Sequence, residues 1–210
     1  MAPIRVVDYN VKHLSDEAAA SHAEDVGWMR ATATGDTRAF RLLVEKHQHS
    51  VVGTIAKMTG RPSDAEDLAQ QVFLRVWKSA ARYEPTAKFT TWLFTIVRNL
   101  VFNEGRRAYR KLEVSLEAGE EESHHGLADA TSPTPDQRLL HDEMRRAADA
   151  AIARLPEQAR LAVVLRRFEE APYEEIASVL GITVPAVKSL LFRARCQLRD
   201  DLKGYLDGAK

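Results

Sequence analysis

The 210-residue chain carries 30 Lys+Arg against 30 Asp+Glu and a single cysteine, Cys196. That length holds one large core or two small ones, and one thiol excludes both a disulfide framework and a cysteine zinc ribbon. No charged-then-apolar leader opens the chain, and no apolar run approaches the roughly 20 residues of a membrane span; a soluble, cytoplasmic protein with no direct membrane role is expected.

The zero net charge conceals a polarity. Residues 98–111 hold Arg98, Arg106, Arg107, Arg110 and Lys111 against Glu104 alone, whereas residues 113–136 hold seven acids and no Lys or Arg. Clustered cations create a local field that averaging hides.

Residues 1–34 are an unassigned arm in which Ser15-Asp16-Glu17 can start a helix and Trp28 and Met29 can dock on the helices after them. Asp36 is placed to cap a helix with Phe40, Leu43, Val44, His47, Val51, Ile55 and Met58 on one stripe, stopped by Gly60. Pro62-Ser63 opens the next helix, where Ser63 and Glu66 have capping-box spacing. Its buried stripe is Ala65, Leu68, Ala69, Val72 and Val76, flanked by Phe73 and Trp77, with Asp64, Asp67, Gln70, Gln71 and Arg75 on other faces. Around Pro85 the periodicity lapses into a loop. Trp92, Leu93, Ile96, Val97, Leu100 and Val101 then mark a third amphipathic helix.

From Glu113 to Pro135 the acids, glycines and prolines predict a flexible linker. Beyond it Asp136 can cap a helix carrying Leu139, Leu140, Ala147, Ala151, Ile152 and Leu155, and Pro156 begins another with Leu161, Val164, Leu165 and Phe168 in its core. Tyr173–Leu180, Gly181, Ile182 and the cap Thr183 then lead into a long last helix with helix-turn-helix spacing. Val187, Leu191, Ala194 and Leu198 form its seam; Pro185, Ala186, Ser189, Phe192 and Arg193 point away. The fold class expected is all-α: two small helical domains, a bundle over 35–112 and a helix-turn-helix domain over 136–203, joined by the linker 113–135, with a tail at 204–210.

The last helix supplies Lys188, Arg193, Arg195 and Arg199 for phosphates, and Ser189 and Arg193 are types that reach base edges; the alternative is a solvated basic face. Tyr83, Phe89 and Trp92 stand near the Arg98–Lys111 cluster, a mixture suited to unpaired bases and their backbone. Phe94, Phe102 and one of Phe89 or Trp92 are assigned to packing, leaving Tyr83 for stacking. His47-Gln48-His49 and His124-His125 lack the partners of a metal site. Glu169-Glu170 and Glu174-Glu175 flank helix ends, where acids suit the macrodipole or face solvent. No catalytic constellation and no phosphate-binding glycine loop stands out, so no cofactor, no metal and no enzymatic activity is expected.

Taken together, GDTRAF (35–40), DAEDLAQQVFLRVW (64–77), FTTWLFTIVRN (89–99) with Asn103 and Arg106-Arg107, LPEQAR (155–160) and YEEIASVLGITVPAVKSLLFRAR (173–195) resemble the extracytoplasmic-function (ECF) sigma factors of bacterial RNA polymerase. The resemblance covers about residues 35–111 and 136–202. It implies a region 2-like domain that binds core polymerase and the minus-ten element, and a region 4-like domain that binds the minus-thirty-five element. Asp64, Asp67, Gln70 and Gln71 match the polymerase-binding face. Tyr83 matches a loop position that pockets a flipped base, and Lys88, Trp92, Asn99, Asn103, Arg106 and Arg107 belong to the same minus-ten surface. Thr183, Lys188, Ser189, Phe192 and Arg193 match the recognition helix. Asn103 stands where many relatives have Asp, Leu190 where many have Arg, and Ala171 where many have a hydroxyl residue. The partners implied are core RNA polymerase, promoter DNA and an anti-sigma factor; the alternative function is a stand-alone helix-turn-helix regulator.

Overall fold

The computed structural model describes residues 16–118 and 135–207, and every regular element among them is helical. The first helix, α1 (Asp16–Ala33), seats Met29 fully in the core and half-buries Trp28, over whose ring Lys46 Nζ lies at 5.2 Å. A Gly35 turn leads into α2 (Thr37–Thr59). Asp36 caps it as expected, its carboxylate accepting the Arg38 and Ala39 amides at 2.8 and 3.1 Å. Gly60, at φ 67°, closes the helix by donating to the Ala56 carbonyl, a left-handed conformation only glycine adopts without a Cβ penalty.

In α3 (Pro62–Ser79) the five stripe residues are buried and Phe73 joins them. The expected capping box does not form. Pro62 occupies the first turn, where its missing N–H costs nothing, and the Ser63 hydroxyl donates instead to Asp64 Oδ1 at 3.0 Å. A 3-10 turn, Ala80–Arg82, and a loop lead to α4 (Phe89–Ala118), which continues beyond residue 113 and so into the expected linker. Both Phe89 and Trp92 are buried, where only one was expected to be. Alternate aromatics are covered on this helix because α1, α2 and α3 enclose it from three sides.

The joint between α1 and α2 is polar but satisfied. Asp25, 2% exposed, lies 2.9 Å from Lys46 Nζ and 3.0 Å from His47 Nε2. His47 is thus committed to Asp25, which accounts for a histidine on a core stripe. A second histidine, His22, acts across elements: its Nδ1 accepts the Phe89 amide at 3.3 Å, satisfying a donor at the open start of α4. Burial lowers the His22 pKa from 6.5, with Asp25 and Glu175 opposing and Lys88 and Lys46 assisting. Between that lowered value and 6.5 the unfolded chain binds more protons than the folded one. Stability from this group is therefore present above pH 6.5 and lost as the pH falls through the folded value. A pH series of urea midpoints from 7 to 5 is expected to fall more steeply for the native chain than for His22→Gln; superimposable curves would exclude the role.

The second half contains α5 (Pro135–Ala153), α6 (Glu157–Phe168), α7 (Tyr173–Leu180) and α8 (Val184–Asp207). The side chains of Asp136, Leu139 and Leu140 lie outside the described residues. Ala151, Leu155, Leu161, Val164 and Leu165 are buried as the spacing requires, but Phe168 is 46% exposed, its ring 4.2 Å from Lys57 Nζ. Gly181, at φ 69°, ends α7, and the Gly181 and Ile182 amides both reach the Ala177 carbonyl. Ile182 is half-buried in the turn and Thr183 Oγ1 accepts the Ala186 amide at 3.4 Å, so α7 and α8 meet at 98°, the angle of a helix-turn-helix. No single helix among the described residues is long and apolar enough to cross a membrane.

The two halves touch. α6 and α5 lie on α2, and α7 lies on α4, so that one continuous apolar cluster runs through both.

Candidate nucleic-acid interface

Three separate surfaces carry the residues singled out above. On α3, Asp67, Gln70 and Gln71 are exposed, while Asp64 is half-buried and pairs with Arg61 at 3.2 Å. One further residue shares that stripe. Leu74, at i+7 from Asp67, is 55% exposed, an apolar knob in a polar face. Its spacing from Gln70 and Gln71 was the signal in the sequence; its type suggested core.

The second surface is built by the start and outer face of α4. Tyr83 sits at the end of the 3-10 turn with its ring against Phe89 and Trp92, at 6.1 and 5.0 Å between centroids, both edge-on. The residue is partly exposed, but its hydroxyl is buried with no hydrogen-bond partner among the described residues. Burial, and secondarily the Asp25 charge, push its pKa well above the usual phenol value, so it stays neutral at physiological pH. Trp92 is 7% exposed and packs its ring edge-on against Tyr83. Lys88 is half-buried and forms an ion pair with Glu175 at 2.5 Å. Asn99 accepts from Arg98 Nη2 at 2.7 Å, Asn103 accepts from Arg106 Nη2 at 2.6 Å, and Arg107 pairs with Glu104 at 2.7 Å.

These α4 residues line two adjoining clefts. One, of about 300 Å³, has Arg98, Asn99, Phe102, Asn103 and Arg106 on one wall and Gln158 and Leu180 on the other. The next, of about 680 Å³, adds Tyr109 and Arg110 and faces Glu157. Tyr109 was missed in the sequence because it lies off the apolar stripe and outside the aromatic run. It is 63% exposed between cations, an arrangement suited to stacking on a base. Lys111 has no described side chain.

The third surface is α8. Lys188, Ser189, Phe192 and Arg193 are all exposed, at i, i+1, i+4 and i+5, and therefore share a face, while Val187, Leu191 and Ala194 anchor the opposite side. Phe192 is 64% exposed, a large apolar ring with no packing role on this domain. Lys188 Nζ rests 5.9 Å from the Tyr173 ring and Arg193 Nε reaches the Ser189 carbonyl at 3.4 Å. Thr183 is spent on the α8 cap and remains exposed at its start. One aromatic and two cations thus share an exposed face in the N-terminal half of the second helix of the helix-turn-helix, a composition suited to a major groove, which admits an α-helix.

Comparison with known proteins agrees with both halves. Residues 43–111 match the family described as Sigma-70 region 2, and residues 145–198 match Sigma-70, region 4. The chain is 36% identical over 165 residues to the RNA polymerase sigma-H factor of Pseudomonas aeruginosa, covering 77% of this chain and 84% of the relative. It is 33% identical over 166 residues to the ECF RNA polymerase sigma-E factor of Escherichia coli K12, covering 77% and 85%. Among solved structures it is similar to CnrH, determined in complex with the cytosolic domain of CnrY, with a TM-score of 0.61, 25% identity, and coverage of 86% of this chain and 98% of the other. A stand-alone helix-turn-helix regulator has no need of the region 2 half, and the two matches in this order leave that alternative unfavoured. The chain belongs to the ECF sigma factors of bacterial RNA polymerase.

Proposed function

We propose that this sigma factor selects and opens promoters by a double readout divided between its two halves, residues 35–112 and 136–203, and that it acts in the cytoplasm as a binding factor and not as an enzyme. The polar stripe Asp64, Asp67, Gln70 and Gln71, with Leu74 as its apolar centre, grips core polymerase. The surface Tyr83, Lys88, Trp92, Asn99, Asn103, Arg106 and Arg107 captures the opened minus-ten strand, Tyr83 stacking on an unpaired base while Trp92 backs it. The exposed face Thr183, Lys188, Ser189, Phe192 and Arg193 reads the minus-thirty-five duplex. The observation that carries this reading is the presence on one chain of an arginine-flanked aromatic site on α4 and an exposed recognition face on α8. The acidic segment 113–135 links them and runs through the polymerase. Because CnrH is held by a cytosolic domain of another protein, an anti-sigma factor that grips both halves is the expected regulator here.

Run-off transcription with purified core enzyme tests the function. A promoter-dependent transcript is expected only when this chain is added, and none on any cognate template would sink the proposal. Tyr109 extends the strand platform. Tyr109→Ala is expected to weaken binding to single-stranded minus-ten DNA by about fivefold or more, and Tyr109→Phe to retain it, since stacking is worth about 1–3 kcal/mol per base. Equal loss in both variants would point to the hydroxyl and against stacking.

A further inference from the structure

The helix that carries the aromatic wall behind Tyr83 begins without a cap of its own. Lys88, whose carbonyl accepts the Trp92 amide at 3.2 Å, stands at the N-cap of α4 and has no side-chain oxygen to offer the first turn. Its ammonium pairs instead with Glu175 of α7 at 2.5 Å. The missing acceptor comes from α1: His22 Nδ1 takes the Phe89 amide at 3.3 Å, across 67 positions of the chain. The turn of α1 that bears His22 is itself tied to α2, since Lys46 Nζ donates to the Ser21 carbonyl at 3.0 Å and lies 2.9 Å from Asp25. Asp25 also holds His47, whose ring lies 5.1 Å from that of Phe89. Helix α1 thus grips Phe89 twice, at its backbone through His22 and at its ring through Asp25 and His47. Phe89 closes the loop that opens at Tyr83. The first end of that loop is fixed by the Tyr83 amide on the Ala80 carbonyl at 3.1 Å, and the last by His22.

We infer that His22 is a positioning residue for promoter opening: by holding the Phe89 amide it sets where the loop enters α4, and so the pose in which the Tyr83 ring meets an unpaired base. The inference rests on the minus-ten reading of Tyr83 given above, and it gives α1 a share in that surface. An uncapped first turn frays, and fraying at Phe89 displaces the ring against which Tyr83 is packed edge-on. Helix α1 also borders Tyr83 directly: it packs on the 3-10 turn, and its Asp25 and Arg30 charges act on the phenol. The role requires a neutral imidazole, because a protonated Nδ1 is a donor and turns an N–H toward the amide. The surroundings favour that state. Burial lowers the His22 pKa; Asp25 on α1 and Glu175 on α7 oppose this, while Lys88 from the loop and Lys46 on α2 assist it. The positive end of the α4 dipole also disfavours a proton there. The acceptor is therefore present above the folded pKa and is lost as the pH falls through it.

Promoter opening by the reconstituted holoenzyme tests this, on a template that supports run-off transcription and carries 2-aminopurine in its minus-ten element. His22→Leu keeps the bulk and removes the acceptor; it is expected to lower opening at least about fivefold at neutral pH. His22→Asn, whose Oδ1 stands near the place of Nδ1, is expected to retain opening. As the pH is lowered from about 7 to 5, opening by the native chain is expected to fall relative to His22→Asn, which has no proton to gain. In a Tyr83→Ala background His22→Leu is expected to cost nothing further, because its effect passes through that ring. Where His22→Leu does not fold, the pH ratio of the native chain to His22→Asn decides alone. Native opening in His22→Leu, an Asn variant as impaired as the Leu variant, a ratio flat with pH, or a full further loss in the Tyr83→Ala background would each overturn the inference. A loss in Tyr83→Ala with none in His22→Leu strikes the inference alone, whereas no loss in Tyr83→Ala strikes the minus-ten reading and this inference with it.

Discussion

Phe89→Ala is expected to destabilise the first half by about 3–5 kcal/mol, the range for truncating a buried Phe, and to abolish promoter opening at temperatures the native chain tolerates. Phe89 is fully buried, the first residue of α4, and its ring meets those of His47, Tyr83 and Trp92 at 5.1, 6.1 and 5.8 Å. Alanine would leave a void that cannot collapse easily, because those rings are fixed from other elements: His47 by Asp25 and Tyr83 by the 3-10 turn. Its amide, held by His22, would keep the helix start in place. Loss of side-chain packing is therefore the main term. For a domain of this size that energy corresponds to a drop in Tm of roughly 10 °C or more. Calorimetry or thermal circular dichroism checks it, with Phe89→Leu expected to lose much less; a Phe89→Ala loss below about 1 kcal/mol would show that the ring cluster is not structural.

Tyr83→Ala is expected to reduce promoter opening by about fivefold to 150-fold, from the 1–3 kcal/mol of one base stack, while binding to an upstream duplex fragment changes little. The structure adds a sharper control. Because the Tyr83 hydroxyl is buried with no hydrogen-bond partner among the described residues, Tyr83→Phe removes a polar atom that they leave unsatisfied and keeps the whole stacking ring. It is expected to match or exceed the native chain in stability and to open the promoter normally. A 2-aminopurine reporter in the minus-ten element measures opening, and a filter or anisotropy assay measures duplex binding. Were Tyr83→Ala to leave opening unchanged, or Tyr83→Phe to fail as badly as alanine, the ring would not be the base-capturing group.

The helical seams were legible residue by residue. Val187, Leu191 and Ala194 are buried, and Ser189, Phe192 and Arg193 exposed, because a 3.6-residue period sorts a single helix into faces without help from elsewhere. Caps at Asp36, Gly60, Gly181 and Thr183 were equally local, each set by a side-chain oxygen or by the freedom of glycine. The capping box at Ser63 misled because Pro62 starts the helix one residue earlier, and Phe168 misled because helical spacing alone does not say where a neighbouring element ends. Leu74 was hidden by its type, since an apolar residue counts toward the core until the three-dimensional packing leaves it outside, and Tyr109 by its place off the apolar stripe and outside the aromatic run.

By itself, then, the sequence determined the all-α class, the order of the helices, the helix-turn-helix and membership of the family, since each depends on short-range periodicity, turn chemistry or motif order. Only the tertiary structure decided that Trp92 meets the Tyr83 ring edge-on, that His22 caps a helix 67 residues away, that Glu169 reaches Ser50 and Thr54 of α2, and that Glu175 pairs with Lys88 at the start of α4. Those contacts join residues remote in the chain, and no local pattern encodes which distant carboxylate will meet which lysine: that outcome is set by how the two packed halves fit together.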